Sequence, residues 1–300
     1  MGIGAISVIP WGKRVNDCDE KKTVMDDSDR RTYLKATGSA AVALALAGCT
    51  GGGGSGGESS DGDGETSGSD TTTITAGTAP GFPPFEMKEG GELVGFDIDL
   101  LSAVVTEADG YELGSWQEYA FDSLVPALTS NKIDVVAAGM TINDEREQQI
   151  DFTNPYYNAD QAIIVRENGD FSPSSLADLS GHKVGSQSGT TGEGVAKELI
   201  EKGTLKESNY NTYDSYVFAV QDLENGNIDA VILDLPVAQT FADQRPVSIA
   251  FTYETGERYG FGIRNGDDDL QSALNEGLAA VRDSGKYEEL RNEWFGGSNQ

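Results

Sequence analysis

The sequence predicts an α/β fold with largely parallel sheets, and three observations carry that expectation. Short apolar runs rich in β-branched residues alternate with helical patterns of about ten residues, the rhythm of strand–helix–strand units. Hydrophobic residues make up 37% and aromatics 8% of 300 residues, enough for a packed core. No repeat period divides the chain into stacked units.

The elements follow in order. Residues 74–77 read as a first strand, and Phe96, Ile98, Leu101, Val104 and Val105 give a mostly helical spacing that stops at Gly110. A helix over 121–130, a strand over 133–138 and strands over 161–165 and 183–186 come next. Helices over 192–202 and 215–224 then precede a strand over 228–233 and strands near 247–252 and 259–263. The last helix carries Leu270, Leu274, Leu278 and Val281 on one face.

The charge is one-sided: 21 Lys plus Arg stand against 50 Asp plus Glu, a formal net charge of −29. That balance disfavours nucleic acid or an anionic membrane face as a partner. Thermophiles raise Lys together with Glu, which is not the pattern here. At molar salt the Debye length falls to roughly 3 Å and screens such a surface, so the composition is that expected of a halophile's protein. Residues 49–300 hold 44 acidic and 14 basic residues, so the excess lies after the first 48.

Both cysteines, Cys18 and Cys49, fall in the first fifty residues, which leaves the remainder with no thiol, disulfide or cysteine metal site. Arg30-Arg31-Thr32-Tyr33-Leu34-Lys35 precedes an apolar run over 36–47. That run is shorter than the ~20 residues a bilayer needs, and it reads as a signal-peptide core. The arginine pair resembles a twin-arginine export signal, and Leu46-Ala47-Gly48-Cys49 resembles a lipobox in which Cys49 becomes the lipidated first residue. A short buried helix with a chance arginine pair is the plainer alternative, and the glycine tract directly after it speaks against that. Signal peptides begin near their charged region, so Met25 is the expected start, residues 1–24 an upstream extension and 25–48 the signal. Residues 49–73 are rich in Gly, Ser and Asp and read as a tether spanning roughly 25–30 Å.

Across 74–296 a series of blocks recurs in one order. They include Phe82-Pro83-Pro84-Phe85-Glu86, Gly95-Phe96-Asp97-Ile98-Asp99-Leu100 and Phe121-Asp122-Ser123-Leu124. Gly139-Met140-Thr141-Ile142-Asn143-Asp144-Glu145-Arg146, Asp151-Phe152-Thr153-Asn154-Pro155-Tyr156-Tyr157 and Ser188-Gly189-Thr190-Thr191 follow. Leu223-Glu224-Asn225-Gly226, Asp234 with Pro236, Tyr259-Gly260 and Trp294-Phe295 close the series. In this order the blocks resemble the extracellular amino-acid-binding proteins of ABC importers, the polar amino acid group. The resemblance implies a two-lobed periplasmic-binding-protein fold of type II, with 74–162 and 255–300 in one lobe and 163–254 in the other. The hinge segments are then expected near 161–166 and 247–253.

A free amino acid is a zwitterion, so a site that desolvates it must offer an anion-binding group and an acid. The resemblance assigns Arg146 to the carboxylate, where a planar guanidinium fork fits, and Asp234 to the α-ammonium. It also assigns the Gly139 carbonyl and Thr141 hydroxyl to the ammonium, and Phe82 and Phe121 to the apolar stem. Amides near Thr190 and Thr191 at a helix start suit the carboxylate. Plainer roles stand beside these: Arg146 on the surface with Glu145 or Asp144, Asp234 or Thr190 as a helix cap, either Phe in the core. Many relatives carry an acid in the first loop, where this chain has Gly77-Thr78-Ala79-Pro80-Gly81, and Gln187 could hydrogen-bond a side-chain amide. The expected ligand is therefore a neutral polar amino acid such as glutamine. The resemblance implies ABC permease subunits with their ATPase as partners, membrane attachment through Cys49 and no cofactor. Two rivals are a dehydratase-like enzyme acting on prephenate or arogenate and a ligand-sensing ectodomain. His182, the sole histidine, reads as a surface loop residue.

Overall fold

The computed structural model describes residues 71–296. The expectations for 1–70, including the signal, Cys49 and most of the tether, lie outside the described residues, as do residues 297–300. The chain forms strands β1 (Thr72–Thr78), β2 (Met87–Glu89) and β3 (Glu92–Val94), helix α1 (Phe96–Glu107) and β4 (Tyr111–Glu118). Next come α2 (Leu124–Thr129), β5 (Val135–Val136), α3 (Asp144–Glu147), β6 (Ile150–Phe152) and the long β7 (Tyr157–Arg166). Then follow β8 (Val184–Gln187), α4 (Thr191–Glu201), β9 (Tyr210–Tyr213), α5 (Tyr216–Glu224), β10 (Ala230–Asp234) and α6 (Leu235–Gln244). The chain returns through β11 (Val247–Tyr259) and β12 (Gly262–Arg264) to α7 (Asp268–Asp283) and α8 (Lys286–Phe295).

Two five-stranded sheets organise these elements, one ordered β4-β1-β5-β12-β6 and the other β11-β7-β10-β8-β9. The fold is α/β and two-lobed, but each sheet is mixed rather than mostly parallel. In the first, β1 runs parallel to β4 and β5 while β12 is antiparallel to β5 and β6. In the second, β8 is parallel to β9 and β10 while β7 is antiparallel to β10 and β11. The reason lies in β7 and β11, which carry the chain out to the second lobe and back in opposite directions. They pair from Val247↔Arg166 to Tyr259↔Tyr157. Segments 161–166 and 247–253 therefore lie within the second sheet, and the chain passes between sheets over 153–156 and 260–261.

Local sequence accounts for the element ends. Thr190 and Ser215 cap α4 and α5 with side-chain oxygens, and Pro236 sits in the first turn of α6, where its missing N–H costs nothing. In α7 the buried residues Leu270, Leu274, Leu278 and Val281 repeat at helical spacing and pack on α1. Gly277 makes that packing close: a Cβ there would stand 2.3 Å from the Val104 carbonyl oxygen of α1. The expected helix over 121–130 is a 3₁₀ turn, Phe121–Ser123, leading into α2. The expected strand over 133–138 pairs only at Val135 and Val136, because the chain leaves the sheet to form a wall of the cavity described next.

Candidate ligand-binding cleft

Between the lobes lies a small cavity. All nine residues singled out for ligand contact line it. Phe82, Phe121, Gly139, Thr141 and Arg146 come from the first lobe, and Gln187, Thr190, Thr191 and Asp234 from the second.

Arg146 stands on the short helix α3, whose first turn is capped by Asn143 Oδ1 accepting from the Arg146 amide at 2.9 Å. Its side chain turns inward, with the residue 8% exposed. Nη1 donates to the Thr141 carbonyl at 2.6 Å and Nη2 crosses the cleft to the Gly189 carbonyl at 3.0 Å. The guanidinium lies over the Phe121 ring, 5.2 Å from its centroid. These contacts rule out the surface pairing with Asp144 or Glu145. Burial lowers the pKa of the guanidinium, opposed by the charges of Asp234 and Glu257.

Asp234 ends β10 and precedes α6, yet its side chain makes no capping bond. Instead Oδ1 accepts from Gln161 Nε2 at 2.9 Å and Tyr259 OH at 2.8 Å. Burial, reinforced by nearby Glu257, holds this carboxyl well above its usual range. Thr190 does cap α4 and also donates to the Gln187 carbonyl at 2.7 Å. The first-turn amides of Thr191 and Gly192 have no intrahelical acceptor, as at any helix start. Gln187 Nε2 donates to the Asp214 carbonyl at 3.2 Å, which leaves its Oε1 as an acceptor.

Gly139 is required twice over. Its φ is +53°, and a Cβ would fall 2.4 Å from Phe82 Cε1. Its N–H donates to Asp97 Oδ2 at 2.7 Å, which also accepts from Tyr156 OH at 2.6 Å. Burial pushes Asp97 up to about 7.

Glu86 was missed by sequence reasoning. It is fully buried, it lines the cavity, and neither carboxyl oxygen has a hydrogen-bond partner. Burial first, then the charges of Asp97 and Asp234, raise its pKa well above the usual range. The tight turn from Phe82 to Glu86, closed by the Gly81 and Phe82 amides on the Glu86 carbonyl, carries the side chain under the cavity. An acid directly after Pro83-Pro84-Phe85 was the signal available. The loop at 77–81 does lack an acid, with Ala79 on the cavity wall, but the cavity itself does not. His182 lies elsewhere, stacked on Phe171 at 3.6 Å and with Nδ1 3.5 Å from Asp229.

Residues 74–297 match the family of bacterial extracellular solute-binding proteins, family 3. The chain belongs to this family. Among its relatives, the putative ABC transporter arginine-binding protein 2 of Escherichia coli is 37% identical over 230 residues, covering 74% of this chain and 90% of the relative. Two solved structures align along this family 3 protein. An ancestral arginine-binding protein bound to arginine has a TM-score of 0.70 and 39% identity, covering 76% of this chain and all of that one. An ancestral arginine-binding protein bound to glutamine has a TM-score of 0.69 at 39% identity, covering 75% and 98%.

Proposed function

We propose that this family 3 solute-binding protein captures a free amino acid between its lobes and delivers it to an ABC permease driven by its ATPase. We further infer that the ligand's side chain is cationic, with arginine the best fit. The observation that carries this is Glu86, a buried carboxyl without a partner on a cavity that already holds Arg146 and Asp234. Arg146 and Asp234, with the Thr141 hydroxyl and Gly139 carbonyl, suit the carboxylate and ammonium common to every amino acid, and Phe82 and Phe121 suit its stem. Glu86 is left over for the side chain. A guanidinium would give it two charge-assisted donors, and Gln187 Oε1 could accept a third. The expectation of a neutral ligand assumed a cavity without an acid, and Glu86 removes that assumption.

Glutamine is the second reading. Its carboxamide could donate to Glu86 and pair with Gln187, and an ancestral relative has been solved with glutamine bound. Citrulline separates the two, being close in shape to arginine but uncharged. Calorimetric titration in molar KCl is expected to show arginine bound at least about tenfold more tightly than citrulline or glutamine. Equal or tighter binding of either neutral ligand would remove the cationic part of the reading.

The acidic surface and the leader support an address as well. Export by the twin-arginine route, lipidation at Cys49 and a tether through residue 73 would hold the binding body at the outer face of a halophile's membrane. Among the described residues no helix is long and apolar enough to cross a membrane. A single lipid anchors weakly, so a second contact with the permease would add to it. We read the protein as a binder rather than a dehydratase-like enzyme, since its histidine is outside the cleft.

A further inference from the structure

Thr141 of the first lobe and Asp234 of the second are joined through the hinge by side chains that do not line the cavity. Thr141 Oγ1 donates to Glu257 Oε2 on β11 at 2.7 Å. Gln161 Nε2, on β7, donates to Glu257 Oε1 at 2.8 Å and to Asp234 Oδ1 at 2.9 Å. Gln161 is fully buried and Glu257 is 6% exposed.

The direction of each proton decides what the cavity sees. The single hydroxyl proton of Thr141 is committed to Glu257, so towards the cavity its oxygen can only accept. Thr191 Oγ1 lies 3.3 Å away as a donor and occupies one of its two lone pairs. On Asp234, Gln161 and Tyr259 both donate to Oδ1, which leaves Oδ2 for a ligand. The cleft thus offers two aligned acceptors, an arrangement matched to an ammonium.

Glu257 and Gln161 both lie in the second sheet, Glu257 paired with Ala159 on β7 and Gln161 with Asp234 on β10. The step between lobes is made at Thr141, whose bond to Glu257 stands beside the Ile142 amide bond to the Arg258 carbonyl at 2.8 Å and the Thr141–Tyr259 bridge. Next to it β11 is irregular between Tyr253 and Glu257.

We propose that Gln161 and Glu257 are positioning residues for recognition of the α-ammonium, and that the bonds running from Thr141 through Glu257 and Gln161 to Asp234 tie that recognition to closure of the lobes. The inference rests on the amino-acid-binding reading above. The test compares arginine with 5-guanidinopentanoate, which is arginine without its α-amine, by calorimetry on the wild-type chain, Glu257→Gln and Gln161→Met. Both variants are expected to weaken arginine about tenfold, the loss associated with one bond to a buried charged group, and the analogue less than about twofold. Should one variant fail to fold by circular dichroism, the other carries the same comparison. Equal losses for both ligands, or no loss for arginine, would overturn the proposal alone. A wild-type chain indifferent to the α-amine would overturn the reading beneath it as well, and the two failures are distinguished by the protein in which they appear.

Discussion

At the scale of single residues, the site depends on charges placed where water cannot reach them. Glu86 is the sharpest case, because a buried carboxyl without a donor costs stability unless it is protonated or a ligand supplies the donors. Glu86→Gln is expected to weaken arginine about tenfold or more while changing glutamine affinity little, as read by calorimetry. A pH dependence follows. Glu86 and Asp234 both titrate above the usual carboxylate range in the free cleft, and a bound cation lowers their pKa values. Binding therefore expels protons: affinity is fully present above the free-state pKa values and is lost as pH falls through them. Titrations from neutral to acid pH are expected to show this loss beginning above the ordinary carboxylate range. Glu86→Gln would reduce it to the part carried by Asp234, and a wild-type profile no steeper than that of Glu86→Gln would count against an ionised Glu86. Arg146 and Asp234 were singled out in the sequence through the resemblance, whose motifs place them, while their residue types alone left a surface pair and a helix cap open. Glu86 was missed although it directly follows Pro83-Pro84-Phe85, and Gln161 and Glu257 were not legible, since a single acid or amide in a strand carries no sign of whether it points to solvent.

At the scale of elements, periodicity located the helices with a wide buried face and the strands buried on both sides. It found β10 and α4 to within a residue or two, and it placed α7 by its apolar stripe. It missed β4, whose burial pattern is mostly exposed in keeping with an edge strand, and α8, where only Leu290 is buried. It also missed α6, which follows β10 without a loop. The mixed sheets were hidden for a different reason: strand direction is set by how the chain crosses between lobes, and no local pattern encodes that. The contact of α1 with α7 gives a testable element. With a Cβ at 2.3 Å from the Val104 oxygen, Gly277→Ala must push the helices apart. A cost of ~1–3 kcal/mol is expected, seen as a lower midpoint in thermal unfolding, with arginine affinity unchanged because the contact is remote from the cleft. An unchanged midpoint would mean that the helices adjust freely there.

At the scale of the whole molecule, the net charge of −29 and the ligand site are separate matters. The charge was legible from composition, and the salt adaptation proposed from it can be tested on its own. Unfolding midpoints are expected to rise from dilute buffer to molar KCl as repulsion is screened, and a midpoint that is insensitive to salt would contradict the halophilic reading. The site instead closes the molecule. Arg146 to the Gly189 carbonyl, Ser188 Oγ to Asp122 Oδ2 at 3.0 Å, and Thr191 to Thr141 all run from lobe to lobe around the cavity. A ligand that adds its own bonds to both lobes stabilises that arrangement by its preference for it. The central claim is therefore that a free amino acid is held between the lobes by Arg146 and Asp234. The most direct test is thermal shift at molar KCl against the twenty amino acids, repeated with Arg146→Ala and Asp234→Ala. The account predicts a rise in midpoint led by arginine in the wild type and abolished by either substitution. Stabilisation that survives both would contradict it.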